Sequence, residues 1–128
     1  ELGQSSTTLS GGESQRLKVA SVLQEKSASN MLYIFDEPTT GLQLDDVKRL
    51  LNVMHDLVDQ KNTVIVIEHN LELVSHADWV IDLGPGCGKH GGKLVASGTP
   101  EDIMMVEESL TGQFLKKIQN SPSRRILN

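Results

Sequence analysis

Met31-Leu32-Tyr33-Ile34-Phe35-Asp36-Glu37-Pro38 opens the segment that decides the fold, and Val64-Ile65-Val66-Ile67-Glu68-His69 closes it. Both begin as short, unbroken apolar runs and stop at acids. That is the pattern of strands buried on both faces of a parallel sheet. Between them, from Leu44 to Asp59, the residues Val47, Leu50, Leu51, Met54, Leu57 and Val58 recur at helical spacing. Strand, helix and strand over this length predict a βαβ unit with a right-handed crossover.

Working outward, a third apolar run, Trp79-Val80-Ile81, is expected to add a strand to the same sheet after a short helix, Leu71 to Ser75. Upstream, a helix from about Gly11 to Gln24 buries Leu17, Ala20 and Leu23. Downstream come a loop, Gly84-Pro85-Gly86-Cys87-Gly88, and a strand from Lys93 to Ser97 at an edge. Thr99 before Pro100 has the form of an N-cap with Pro at the first helical position. Gly112 to Ile118 completes the helices, and the stretch from Asn120 to Arg125 has the composition of a tail or linker. The fold class expected is α/β, a parallel sheet of at least three strands flanked by helices.

Composition sets the outer bounds. The chain has 128 residues, and 12 Lys+Arg against 17 Asp+Glu give a net charge of −5. Its 38% hydrophobic and 23% charged residues are an ordinary globular balance for one domain. An acidic chain excludes a nucleic-acid footprint spread over its whole surface. No run approaches the roughly 20 apolar residues of a membrane span, and the opening Glu1-Leu2-Gly3-Gln4 has no signal-peptide core. The single cysteine excludes an intrachain disulfide and a Cys-rich zinc site, and fits a reducing cytoplasm.

Four segments carry chemistry. Leu9-Ser10-Gly11-Gly12-Glu13 opens the upstream helix. As a capping box, Ser10 and Glu13 satisfy each other's backbone N–H groups. The same geometry, with two glycines baring N–H groups at the positive end of a helix dipole, suits a phosphate. Next, Asp36 and Glu37 stand at the C-terminal end of a parallel strand, the edge at which open α/β sheets bind ligands. One carboxylate can hold Mg²⁺ through its water shell while the other polarises an attacking water. Alternation along the strand is expected to point them in different directions. Either acid alone is most simply a solvated strand end; two acids followed by Pro38 weaken that reading. Thr39-Thr40-Gly41-Leu42 is by itself a turn into the next helix. His69 is by itself a structural histidine, or a hydrogen-bond donor to a phosphoryl oxygen at the same sheet edge.

Taken in this order, the four segments resemble the second half of an ATP-binding-cassette ATPase. The resemblance implies a signature motif at Leu9–Glu13, a Walker B strand at Leu32–Asp36 and a catalytic carboxylate at Glu37. It further implies a D-loop at Thr39–Leu42 and a switch histidine at His69. Longer runs narrow the likeness. The stretch from Leu2 through Leu9-Ser10-Gly11-Gly12-Glu13 to Arg16, then Asp36-Glu37-Pro38-Thr39-Thr40-Gly41-Leu42, Ile67-Glu68-His69-Asn70 and Ala77-Asp78-Trp79-Val80-Ile81-Asp82-Leu83-Gly84-Pro85, are similar to the UvrA family. That family comprises the damage-sensing ATPases of bacterial nucleotide excision repair. Transporter cassettes usually carry Ser-Ala-Leu-Asp at the D-loop and lack the Trp79 segment. The resemblance covers residues 2 to about 118, so residues 1–118 are expected to form the C-terminal half of a nucleotide-binding domain and 119–128 a tail or linker.

The likeness to this family implies ATP and Mg²⁺ as the cofactors. It implies that Ser10, Gly11, Gly12 and Glu13 complete a nucleotide site on an opposing cassette, in the same parent chain or a dimer mate. By the same implication Asp36, as a Mg²⁺ ligand through water, acts with Glu37 and His69 on the nucleotide held by this cassette's own P-loop, and the D-loop residues Gly41 and Leu42 are nucleotide-binding. A UvrB-like partner and damaged DNA are implied to engage the full-length protein, in the cytoplasm and without a membrane partner. The chain also departs from the pattern. Residues up to His69 look like the C-terminal of the family's two cassettes, whereas 84–92 and 109–115 look like the N-terminal one. Gln43 stands where the family usually has His. A paralogue, including the self-protection type linked to DNA-directed antibiotics, and the ATPase motor of a transporter are the alternative readings.

A P-loop, Gly-x-x-x-x-Gly-Lys-Ser/Thr, is missing. The nearest run, Gly84 to His90, has the wrong glycine spacing, His90 in place of Ser or Thr, and a strand after it where a helix is required. The P-loop is therefore expected upstream of Glu1, with the isolated chain inactive. Cys87 and His90 have zinc-like spacing, but no second cysteine exists to complete four ligands. His69 and His76 flank a short helix without a carboxylate motif, so no zinc ligands are assigned.

Overall fold

Residues 29–85, 89 and 91–121 are described by the structure, a computed structural model. The upstream helix with Ser10, Gly11, Gly12 and Glu13, the Cys87 and His90 pair, and the tail from Pro122 onward lie outside the described residues. The chain divides into two units, residues 1–69 and 70–128.

In the first unit, β1 (Leu32–Asp36), α1 (Leu44–Asp59) and β2 (Thr63–Ile67) form the expected βαβ arrangement. The strands pair in parallel, from Leu32 opposite Thr63 to Asp36 opposite Ile67. Helix α1 has the bounds that its periodicity predicts. Asp45 and Asp46 in its first turn suit the positive end of the helix dipole, while Gln43 at the N-cap makes no side-chain cap bond. Val47, Leu50, Leu51, Val53, Met54 and Leu57 are buried on one stripe, and α1 packs on β2. Each large aliphatic so buried is worth about 1.5–3 kcal/mol, an upper estimate because unfolded chains already bury some apolar surface.

The return from α1 to β2 is fastened by Asn62, which is buried. Its Oδ1 accepts from the Met31 N–H at 3.0 Å, and its Nδ2 donates to the Leu57 carbonyl at 3.0 Å. Strand burial differs from the sequence expectation. Tyr33, Phe35, Val64 and Val66 are half-buried, whereas Leu32, Ile34, Ile65 and Ile67 are exposed. One helix covers one face of a strand pair, so alternate residues on the other face stay uncovered among the described residues.

The second unit contains α2 (Leu71–Ser75), β3 (Val80–Leu83), β4 (Leu94–Gly98), α3 (Pro100–Met104) and α4 (Leu110–Gln119). Here the expectation of one parallel sheet of three strands is corrected. The third apolar run enters a strand only at Val80 and pairs antiparallel with β4, from Val80 opposite Gly98 to Leu83 opposite Leu94. The reason is chain length: the 84–93 connection is shorter than the roughly dozen residues a parallel crossover needs. The observed class is therefore mixed α/β, with one parallel and one antiparallel strand pair among the described residues.

Side-chain caps fix the helices of this unit. Asn70 accepts from the N–H groups of Glu72 and Leu73. Thr99 and Asp102 form a capping box around Pro100, as the sequence predicts. Ser109 accepts from the Gly112 N–H, and its hydroxyl donates to Asp82 Oδ2 at 2.6 Å. Thr111 adds a 3.1 Å bond to Asp82 Oδ1, tying α4 to β3. Helices α3 and α4 approach so closely at Gly112 that a Cβ there would lie 2.1 Å from the Ile103 carbonyl oxygen. No helix among the described residues is long and apolar enough to cross a membrane.

Candidate functional site

The parallel pair brings its two C-terminal ends together. Asp36, the last residue of β1, lies opposite Ile67, the last of β2, and is exposed. The next residue leaves the strand sharply. The Glu37 N–H donates to the Ile67 carbonyl at 2.8 Å, and Glu37 takes a φ of 45°. This left-handed conformation costs a non-glycine residue about 1–2 kcal/mol. The pleat expected to orient both acids thus reaches only Asp36, and a strained turn orients Glu37.

That turn is short and internally bonded. Pro38 is buried in it, the Thr40 N–H donates to the Glu37 carbonyl at 3.3 Å, and the Leu42 N–H donates to the Thr39 carbonyl at 3.0 Å. Gly41, at φ 75°, supplies the second left-handed position, which favours glycine. Helix α1 begins directly beyond it, so Glu37, Gly41 and Leu42 are placed by a loop held between two rigid elements.

His69 follows β2 on the same edge. Its Nδ1 lies 3.7 Å from Glu37 Oε1, and the two side chains are 83% and 57% exposed respectively. They are neighbours at ion-pair distance, beyond hydrogen-bond length, and open to solvent. The structure therefore brings together Asp36, Glu37, Gly41, Leu42 and His69 in one unit. It also supplies a residue that sequence reasoning does not single out. Glu68 Oε1 accepts from the Thr39 N–H at 2.8 Å and from the Thr39 hydroxyl at 2.5 Å, and Glu68 Oε2 accepts from the His69 N–H at 3.0 Å. Only the adjacency of Glu68 to His69 could have drawn attention to it, since its partner Thr39 is far away in sequence.

The edge suits a cation that arrives with its own ligands. Among the described residues no group of three or more His, Cys, Asp or Glu is placed to hold a metal ion. Mg²⁺ usually takes one or two carboxylates, often through water, and completes its shell with phosphate oxygens. Exposed Asp36 at the strand end fits that donor set. At the base of the β3–β4 connection the Gly84 N–H donates to the Lys93 carbonyl at 2.6 Å, while Gly86, Cys87, Gly88 and His90 of that glycine run lie outside the described residues.

The chain is similar to known proteins over most of its own length. No family model matches the chain. UvrABC system protein A from Mesorhizobium japonicum is 61% identical over 117 residues, which is 91% of this chain and 12% of that protein. Its counterpart from Brucella abortus is 56% identical over 125 residues, 98% of this chain and 13% of that protein. Among solved structures, the crystal structure of UvrA2 from Deinococcus radiodurans superposes with a TM-score of 0.76 at 46% identity, covering 91% of this chain and 14% of that one. The chain thus spans about an eighth of the length of the curated relatives it matches.

Proposed function

We propose that this chain, UvrA-like in both sequence and backbone, supplies the hydrolytic edge of an ATP-binding cassette in a DNA-damage recognition ATPase. The observation that carries the reading is the meeting of Glu37 and His69 at the C-terminal ends of two parallel strands. Residues 1–118 are assigned to the cassette half that runs from the signature motif onward, and 119–128 to a tail. When bound, Mg-ATP supplies the phosphoanhydride to be cleaved and the cation that offsets its charge. Asp36 would hold that cation. Glu37 orients the attacking water and accepts its proton, and His69 donates a hydrogen bond to a phosphoryl oxygen. Gly41 and Leu42 form the turn facing the nucleotide. Ser10, Gly11, Gly12 and Glu13, which lie outside the described residues, are assigned by the same likeness to the nucleotide of an opposing cassette.

In the whole protein, turnover opens and closes the cassette pair and so couples to damaged DNA and to a UvrB-like partner, in a cytoplasmic setting. The likeness to UvrA2 keeps a paralogue as the second reading. A segment exchange tests the proposal. This chain replaces the matching stretch of a UvrA relative, and ATP turnover is measured with and without damaged DNA. Turnover within a few-fold of the unmodified relative is expected. A protein that folds and binds ATP but does not hydrolyse it would overturn the assignment of this edge.

A further inference from the structure

The turn that carries Glu37 and the strand end that carries His69 come from distant parts of the sequence, and one carboxylate joins them. Glu68 and Thr39 are 29 residues apart, yet Glu68 Oε1 takes both the backbone N–H and the hydroxyl of Thr39. Its other oxygen takes the N–H of His69. Hydrogen bonds to an ionised acceptor are roughly twice as strong as neutral ones, and two oxygens engaged in different directions also fix the angle between the segments they join. Thr39 lies two residues beyond Glu37 in a turn whose first residue has a φ of 45°. A backbone held in that region persists only where its surroundings over-determine it. Here the over-determining contacts are the Glu37 N–H to Ile67 bond on one side and the Glu68 clasp on the other.

We propose that Glu68 is a positioning residue that sets the separation of Glu37 and His69, a proposal that rests on the ATPase reading of this edge. Its own carboxylate faces Thr39 and the His69 backbone, so it acts through the turn and not on the reacting atoms. A misplacement of about 1 Å at a reacting group can cost on the order of 10²-fold in rate, and the clasp guards against a displacement of that kind.

The experiment uses the UvrA relative carrying this chain in exchange, with Mg-ATP as substrate. Glu68→Ala is expected to lower kcat by about 10- to 10²-fold while KM moves by less than about twofold, because placement of the base is lost and the phosphate-binding side is untouched. Glu68→Gln keeps an acceptor for Thr39 and is expected to recover part of that loss. Thr39→Val removes only the hydroxyl bond; added to Glu68→Ala it should cause no further loss, as two halves of one interaction do. Amide hydrogen exchange at Thr39, slow in the parent, should speed up in Glu68→Ala; this reports the clasp independently of turnover.

Unchanged kcat in Glu68→Ala, or a loss confined to KM, overturns the proposal. So does full additivity of the two substitutions. Should Glu68→Ala not fold, the milder Glu68→Gln and Thr39→Val variants decide the matter by the same split between kcat and KM. Glu37→Gln separates this proposal from the reading beneath it. If Glu37→Gln is inactive and Glu68→Ala is normal, only the role of Glu68 falls; if Glu37→Gln still hydrolyses ATP, the hydrolytic edge itself has been misassigned.

Discussion

Asn62 and Glu37 show how single residues hold the edge in place. Asn62 links the start of β1 to the end of α1 through two 3.0 Å bonds from a buried side chain. Asn62→Ala strands the Met31 N–H and leaves the Leu57 carbonyl with only the backbone N–H of residue 62, at 3.1 Å, and a lost buried partner costs about 1–3 kcal/mol. The expected result is a lower urea midpoint with an unchanged slope. Asn62→Asp keeps the acceptor but sets a carboxylate against the Leu57 carbonyl, and should be no better than alanine. A shift within error for both variants would show that water satisfies these groups equally well. At this scale the sequence was legible where a residue type has few uses. Asp36 and Glu37 after an apolar strand, and Thr99 before Pro100, are such cases. Glu68 was not legible, since an acid beside a histidine at a strand end looks solvated until a threonine from a distant turn is seen to donate to it.

At the scale of elements, periodicity served the helices better than the strands. Six buried positions on α1 repeat at helical spacing, and no other backbone geometry puts them on one face. An unbroken apolar run carries no such information about its partner. Trp79-Val80-Ile81 looks like a fully buried parallel strand, yet the strand is Val80–Leu83, includes half-buried Asp82, and runs antiparallel to β4. What decided the pairing was the short 84–93 connection, a feature of spacing and not of hydrophobicity. The contact between α3 and α4 depends similarly on one residue. Gly112→Ala places a methyl 2.1 Å from the Ile103 carbonyl oxygen, with backbone and not a flexible side chain in the way. Overpacking of this kind costs about 1–3 kcal/mol or more. Thermal unfolding should register a clear loss, and an unchanged transition would mean that the two helices can slide apart freely.

The whole chain lacks the P-loop sequence pattern, Gly-x-x-x-x-Gly-Lys-Ser/Thr, the loop whose N–H groups and lysine provide much of the affinity for a triphosphate. The described edge offers Asp36, Glu37 and Glu68, which repel phosphates unless a cation is already held. The 128-residue chain alone is therefore expected to show no ATPase activity and only feeble binding in a calorimetric titration with Mg-ATP. A low-micromolar dissociation constant would mean that a phosphate site exists elsewhere in it. The central claim concerns Glu37, and it is tested most directly by single-turnover hydrolysis in a UvrA relative carrying this chain with Glu37→Gln. The substitution keeps size and hydrogen bonding while removing the base. ATP should still bind, and hydrolysis should fall by at least about 10²-fold, the low end for loss of a general base. Hydrolysis at the parent rate would contradict the account.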